Sequence, residues 1–140
     1  MKTQKIYLEH ANITVNNLQE SIDFFQTAFP HFQIRGGGNE TREWIHLGDD
    51  STYIAINQGT SGQSHSGKDM DRLGINHIGF VVENVNNITD RLLAKGYLRD
   101  FPKQVEKFRI RDYFIDKDGN EFEFVQYLSE NIEEKNSYID

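Results

Sequence analysis

From Ile6 to Val15 apolar and polar residues alternate, the period of a strand with one face buried. Asn17 follows as a helix N-cap, with Glu20 three residues on as a capping-box partner. Leu18, Ile22, Phe25 and Phe29 then recur at helical spacing, and Pro30 marks the stop. Beyond it Gln33-Ile34-Arg35 leads into a turn at Gly36-Gly37-Gly38. Strands are expected over Arg42 to Leu47 and Thr52 to Gln58, joined through Gly48-Asp49-Asp50-Ser51.

The pattern then starts again. His10-Ala-Asn-Ile-Thr-Val-Asn-Asn-Leu18 aligns with His77-Ile-Gly-Phe-Val-Val-Glu-Asn-Val85, 67 positions on. Few residues are identical (His10/His77, Asn17/Asn84, Asp23/Asp90), but the order of elements repeats. Asn76 to Glu83 reads as a strand, and Ile88, Leu92 and Leu93 mark a helix that closes at Gly96. Strands follow around Leu98 to Phe101, over Phe108 to Asp116 and over Glu121 to Leu128, with Asp118-Gly119 as a hairpin turn. Residues 59–74, with Gly59, Gly62, Gly67, Gly74 and several serines, read as a linker. Residues 129–140 read as a charged tail, a frayed helix or disordered.

The expected fold is α+β. Two pseudo-symmetric βαβββ modules, about 5–58 and 75–128, form one domain over 1–140. They make a curved mixed sheet around a cleft, with the helices outside. A module of about 55 residues buries too little surface to be comfortable alone.

Alternation also sorts the chemistry by face. Ala11, Ile13 and Val15 face the first helix, and His10, Asn12 and Thr14 face away. Ile78, Phe80 and Val82 face the second helix, and His77, Gly79 and Val81 face away. On the last strand Phe122 and Phe124 lie opposite Glu121, Glu123 and Val125. His10, His77 and Glu123 therefore share the non-helix side. Two imidazoles and a carboxylate with open positions suit Fe, Mn, Zn, Ni or Co as divalent ions. A lone strand histidine is more often structural, but two at repeat-related positions beside a glutamate are harder to set aside.

Composition narrows the classes. The net charge is −7, from 15 basic and 22 acidic residues, which disfavours a generic nucleic-acid or anionic-membrane partner. No cysteine is present, so disulfides, thiolate metal sites and a cysteine nucleophile are excluded. No apolar run reaches the length of a membrane span, and no signal-peptide stretch follows Met1-Lys2-Thr3-Gln4-Lys5, so a cytoplasmic protein is expected. The sequons at Asn12 and Asn87 then carry no glycan. Gly36-Gly37-Gly38 lacks the lysine and helix of a phosphate loop, and His65 in the linker is expected to be solvated.

The run His10 to Phe25, Asn76-His77-Ile78-Gly79-Phe80-Val81-Val82, and Tyr113-Phe114-Ile115-Asp116-Lys117-Asp118-Gly119-Asn120-Glu121-Phe122-Glu123 together resemble the vicinal oxygen chelate superfamily. That group includes glyoxalase I, fosfomycin-resistance thiol transferases, extradiol dioxygenases, methylmalonyl-CoA epimerase and bleomycin-resistance proteins. The resemblance spans residues 5–128. It implies metal ligands at His10, His77 and Glu123. Many members carry a fourth ligand where this chain has Ala55, which cannot ligate. The resemblance therefore implies negligible glyoxalase I turnover and a three-ligand site like that of the fosfomycin-type transferases and the dioxygenases.

Trp44 with His46, and Tyr53 with Asn57, share the cleft face with Asn12. Arg109, Arg111 and Tyr113 alternate on the second module. They are candidates for binding a small anion, although the two arginines also fit solvated strand-edge positions; the fosfomycin-type resemblance implies a substrate contact for Tyr113. The expected function is that of a glyoxalase/dioxygenase-like metalloprotein, a divalent-metal-dependent enzyme, acting as a homodimer on a small oxygenated metabolite or xenobiotic by Lewis-acid chelation. Glu121 or His46 would move a proton. The competing class is a metal-free, bleomycin-resistance-type binding protein that stacks a planar ligand on Trp44, Tyr53 and Tyr113.

Overall fold

A computed structural model describes residues 6–60 and 73–138. Most of the expected linker, with His65, lies outside the described residues. The chain divides into two compact units, Met1–Gly62 and Gln63–Asp140. Each carries one mixed sheet and a helix packed on it, so the class is α+β.

The first unit runs β1 (His10–Val15), α1 (Leu18–Ala28), β2 (Gln33–Gly38), β3 (Trp44–Gly48) and β4 (Tyr53–Gln58). The sheet order is β1-β4-β3-β2, with β1 and β4 parallel and the other pairs antiparallel. Helix α1 begins where the sequence places it. Asn17 is extended (φ −141°, ψ 108°), and its side chain accepts from the Glu20 amide at 3.1 Å. A second orphan donor, the Leu18 amide, is taken by Gln58 Oε1 at 2.9 Å. Pro30 disfavours helical geometry at Phe29, which leaves the helix at φ −126°, ψ 83°. Phe24, Phe25, Ala28, Leu47, Ile54 and Ile56 form the buried layer between α1 and the sheet. Full burial of each large side chain stabilises by roughly 1.5–3 kcal/mol.

The second unit repeats the plan. It runs β5 (Ile78–Val81), α2 (Val85–Ala94), β6 (Leu98–Arg99), β7 (Gln104–Val105), β8 (Arg109–Ile115), β9 (Glu121–Tyr127) and α3 (Ile132–Lys135). Its sheet is ordered β5-β9-β8-β6, with β7 also on β8 and with β5 parallel to β9. Asn84 caps α2 through the Asn87 amide at 3.1 Å. Gln126 Oε1 takes the Val85 amide at 3.0 Å, as Gln58 takes that of Leu18. The repeat thus extends to its helix-start hydrogen bonds. Gly96 (φ +86°) ends α2, and Gly119 (φ +87°) makes the β8–β9 turn.

Three expectations change. Strand β1 starts at His10, where pairing with Tyr53 begins; Ile6 and Leu8 before it are exposed. Gly36-Gly37-Gly38 is not a turn but the end of β2, paired with His46, Ile45 and Trp44 after a register shift between Ile34 and Gly36. Gly37 and Gly38 serve close approach. A Cβ on Gly37 would stand 2.8 Å from the Trp44 carbonyl oxygen, and one on Gly38 would stand 2.7 Å from the Glu40 carboxylate. Third, the tail up to residue 138 is ordered against β8. Asn131 caps the short α3 through the Glu133 amide at 2.8 Å, and Arg109 holds the carbonyls that follow.

Candidate functional site

On the first unit a column of rings crosses the sheet face opposite α1. His10 stacks on Tyr53 with centroids 4.6 Å apart and planes 11° off parallel. Tyr53 stacks on His46 at 4.5 Å, and His46 meets Trp44 at 5.0 Å. The register explains the column, since His10 pairs with Tyr53 across β1/β4 and Trp44 and His46 sit on β3 beside β4. Asn57 Nδ2 donates to Asn12 Oδ1 at 2.6 Å. Ala55, buried at 4% exposure, lies between Asn12 and His46. All six first-unit candidates therefore share one face. Sequence pattern missed Arg35, whose guanidinium lies 4.5 Å over the Tyr53 ring. It also missed Glu9, whose Oε1 sits 2.9 Å from His10 Nδ1. That contact with His10 holds the Glu9 carboxyl below its ordinary value. Burial, then the Glu9 charge, pushes the Tyr53 phenol up.

On the second unit His77 stands just before β5, with its Nε2 3.0 Å from Glu123 Oε2. Its Nδ1 lies 2.8 Å from Asn76 Oδ1 and 3.8 Å from Glu121 Oε1. Glu123 pairs with Gly79 on one side and Tyr113 on the other. A Cβ on Gly79 would make only ordinary contact with Glu123 Oε2, at 3.5 Å. Glu121 is 7% exposed. Tyr113 is packed by Phe101 at 4.5 Å and touched at its edge by His77 at 5.5 Å. Burial, reinforced by the Glu123 charge, pushes its phenol up to about 12, so at neutral pH it is a hydrogen-bond donor. Arg111 Nη1 reaches the Tyr113 hydroxyl at 3.2 Å.

Arg109 is put to a different use from the cleft contact expected of it. Its side chain is 2% exposed, and it donates to Glu106 at 2.6 Å and to carbonyls of the C-terminal segment. Glu106 was not a candidate, since nothing in strand alternation marks it. Burial raises its carboxyl, but Arg111 and Arg109 outweigh that and hold it below the ordinary value.

The residues brought together in the second unit have the donor chemistry of a divalent metal site. His77 Nε2 and Glu123 Oε2 stand at hydrogen-bond distance, where a shared proton or, in its place, a divalent cation would sit between them. A separation of 3.0 Å also suits neighbouring corners of a coordination shell with bonds of about 2.1 Å. Among the described residues no three His, Asp or Glu side chains are clustered tightly enough to hold a metal. Of the three expected ligands, His77 and Glu123 lie side by side in the second unit, and His10 belongs to the first.

The profile of the Glyoxalase/Bleomycin resistance protein/Dioxygenase superfamily matches residues 7–124. No curated protein matches the chain. Among solved structures, the genomically encoded fosfomycin resistance protein FosX from Listeria monocytogenes is similar with a TM-score of 0.70 and 23% identity, over 94% of this chain and 97% of its own. A glyoxylase/bleomycin resistance protein/dioxygenase domain from Frankia sp. EAN1pec gives 0.74 and 19%, over 91% and 96%. A mutant of the Listeria protein complexed with Mn(II) and 1S,2S-dihydroxypropylphosphonic acid gives 0.67 and 21%, over 94% and 96%. At these identities the likeness is one of fold: two sheet modules and no closed barrel.

Proposed function

We infer the activity of this chain from a premise that the profile match establishes: it belongs to the Glyoxalase/Bleomycin resistance protein/Dioxygenase superfamily. The function proposed is that of a divalent-metal-dependent enzyme acting on a small oxygenated molecule. The observation that carries it is the closeness of His77 Nε2 and Glu123 Oε2, 3.0 Å apart, an imidazole and a carboxylate of the types that ligate divalent metals. His77, Glu123 and His10 would hold the metal. When bound, the ion supplies Lewis acidity toward a pair of vicinal substrate oxygens. Mn(II) in the Listeria relative's complex supports the cofactor class.

Each histidine has its Nδ1 occupied by the side chain before it, Glu9 for His10 and Asn76 for His77. Glu9 is acceptor-only, so His10 Nδ1 carries the proton and Nε2 the lone pair. This orientation is what ligating histidines receive from their neighbours. Tyr113, protonated and backed by Arg111, would donate to a substrate oxygen, and Arg111 would favour an anionic one. Buried Glu121 would take or return a proton, with His46 in the same role on the first unit. On the first unit Asn12, Trp44, Tyr53 and Asn57 would contact the substrate. The proposal includes a homodimer and a cytoplasmic location, both in keeping with the family resemblance and the cysteine-free composition.

A metal-free binder that stacks planar ligands on the ring column is the rival reading, favoured by the stack His10–Tyr53–His46. Calorimetry with acetohydroxamate, a compact bidentate oxygen ligand, separates the two. Mn(II)-loaded protein is expected to bind it, and chelator-stripped protein is expected to lose that affinity by at least tenfold. Equal affinity with and without metal would sink the enzyme reading.

A further inference from the structure

A continuous chain of contacts in the second unit runs from the C-terminal segment to the candidate site. Arg109 Nη2 donates to the Lys135 carbonyl at 2.9 Å, to that of Glu134 at 3.4 Å, and to that of Ser137. The Tyr138 ring covers the Arg109 guanidinium at 4.2 Å and that of Arg111 at 5.6 Å. Arg109 Nη1 binds Glu106 Oε2 at 2.6 Å, and the other oxygen of Glu106 accepts from Arg111 Nη2. Gln104 Oε1 accepts from the same nitrogen at 2.6 Å. Arg111 Nη1 then meets the Tyr113 hydroxyl, whose strand partner is Glu123.

Three features give this chain of contacts a direction. Arg109 is 2% exposed, so its buried guanidinium relies on Glu106 at Nη1 and on the tail carbonyls at Nη2. Glu106 is shared between two guanidiniums, so wherever Arg109 holds it, Arg111 follows. Arg111 also keeps one buried N–H, at Nε, without an acceptor in the protein. Its position is therefore set from outside the site, and it retains a donor to offer.

We propose that the C-terminal strap, residues 134–138, is a positioning element of the candidate site, fixing the Arg111 guanidinium against Tyr113 beside Glu123 through Arg109 and Glu106. The proposal rests on reading this face as the substrate site, and it deepens that reading: the strap tunes the affinity for a small anionic group. Arg109 is a positioning residue, not a ligand-binding one.

The test compares the full chain with a chain ending at Asn131 and with Arg109→Lys. Lysine keeps the charge but cannot span Glu106 and the tail carbonyls together. The Nε–H signal of Arg111 in a nitrogen–proton NMR correlation reports its order whether or not any ligand binds. Both variants are expected to move that signal to the position of solvent-exposed arginines. They are also expected to weaken inorganic phosphate binding about tenfold, with no further loss when Arg111→Ala is added. A strap that only stabilises the fold would lower the melting temperature and leave the Arg111 signal in place, which overturns the proposal. So does a phosphate loss that persists undiminished in the Arg111→Ala background. If the Arg111 signal collapses but phosphate binding is indifferent to Arg111→Ala, Arg111 is positioned by the strap as stated and it is the anion-site reading that fails. Should the shortened chain not fold, Arg109→Lys and Tyr138→Ala carry the same comparison.

Discussion

Asp116 opens the β8–β9 turn with its carboxylate turned inward. Its Oδ1 accepts from the amides of Asp118 at 3.0 Å and Asn120 at 2.8 Å, and Oδ2 accepts from Asn120 Nδ2 at 2.9 Å. Burial nonetheless outweighs these bonds and raises its carboxyl above the ordinary value. A carboxyl raised on folding favours the folded state most when protonated in both states, below the unfolded value near 3.8. That contribution is lost as the pH rises through the folded value. Denaturant titrations of the wild type and Asp116→Asn from pH 3 to 7 should therefore show the wild type losing ground to the variant as the pH rises. A gap that widens in favour of the wild type with rising pH would mean that the hydrogen bonds dominate. Asp118-Gly119 was legible as a turn because its residue types demand one. The buried Arg99–Asp112 pair was not, since an aspartate at 0% exposure in a strand follows no periodicity. Arg109 was placed on a cleft face because alternation groups it with Arg111 and Tyr113, and alternation carries no information about a tail whose carbonyls accept from one of the three.

Elements whose ends are fixed by local chemistry were the ones most legible in the sequence. Asn17 caps its helix as the pattern says, and its repeat partner Asn84 does the same, because an Asn oxygen can reach the amide three residues on. Gly36-Gly37-Gly38 was misread because glycine signals two different things, a turn or a close approach. Here close approach governs, and it differs along the run. Gly37→Ala would force a methyl to 2.8 Å from the Trp44 carbonyl oxygen, a backbone atom that cannot move alone. It should cost about 1–3 kcal/mol in equilibrium unfolding. Gly36→Ala meets nothing within 4 Å and should be neutral within about 0.5 kcal/mol. Equal costs at the two positions would show that backbone freedom, not the approach of β3, is what the glycines provide.

At the scale of the whole molecule the repeat shows in chemistry more than in identity. Glu9 and Asn76 are different residues at equivalent positions, yet each sits at hydrogen-bond distance from the Nδ1 of the histidine that follows. Gln58 and Gln126 each anchor the first amide of a helix from the last strand. Sequence alignment saw the histidines and the caps, but not these supporting pairs, because acceptor function is shared by several residue types. Equilibrium dialysis against Mn(II) with metal analysis tests the proposed ligands His10, His77 and Glu123 most directly. The protein should bind one equivalent per chain, and His10→Ala, His77→Ala and Glu123→Ala should each fall well below that. Full occupancy retained in all three variants would contradict the assignment of these residues as ligands.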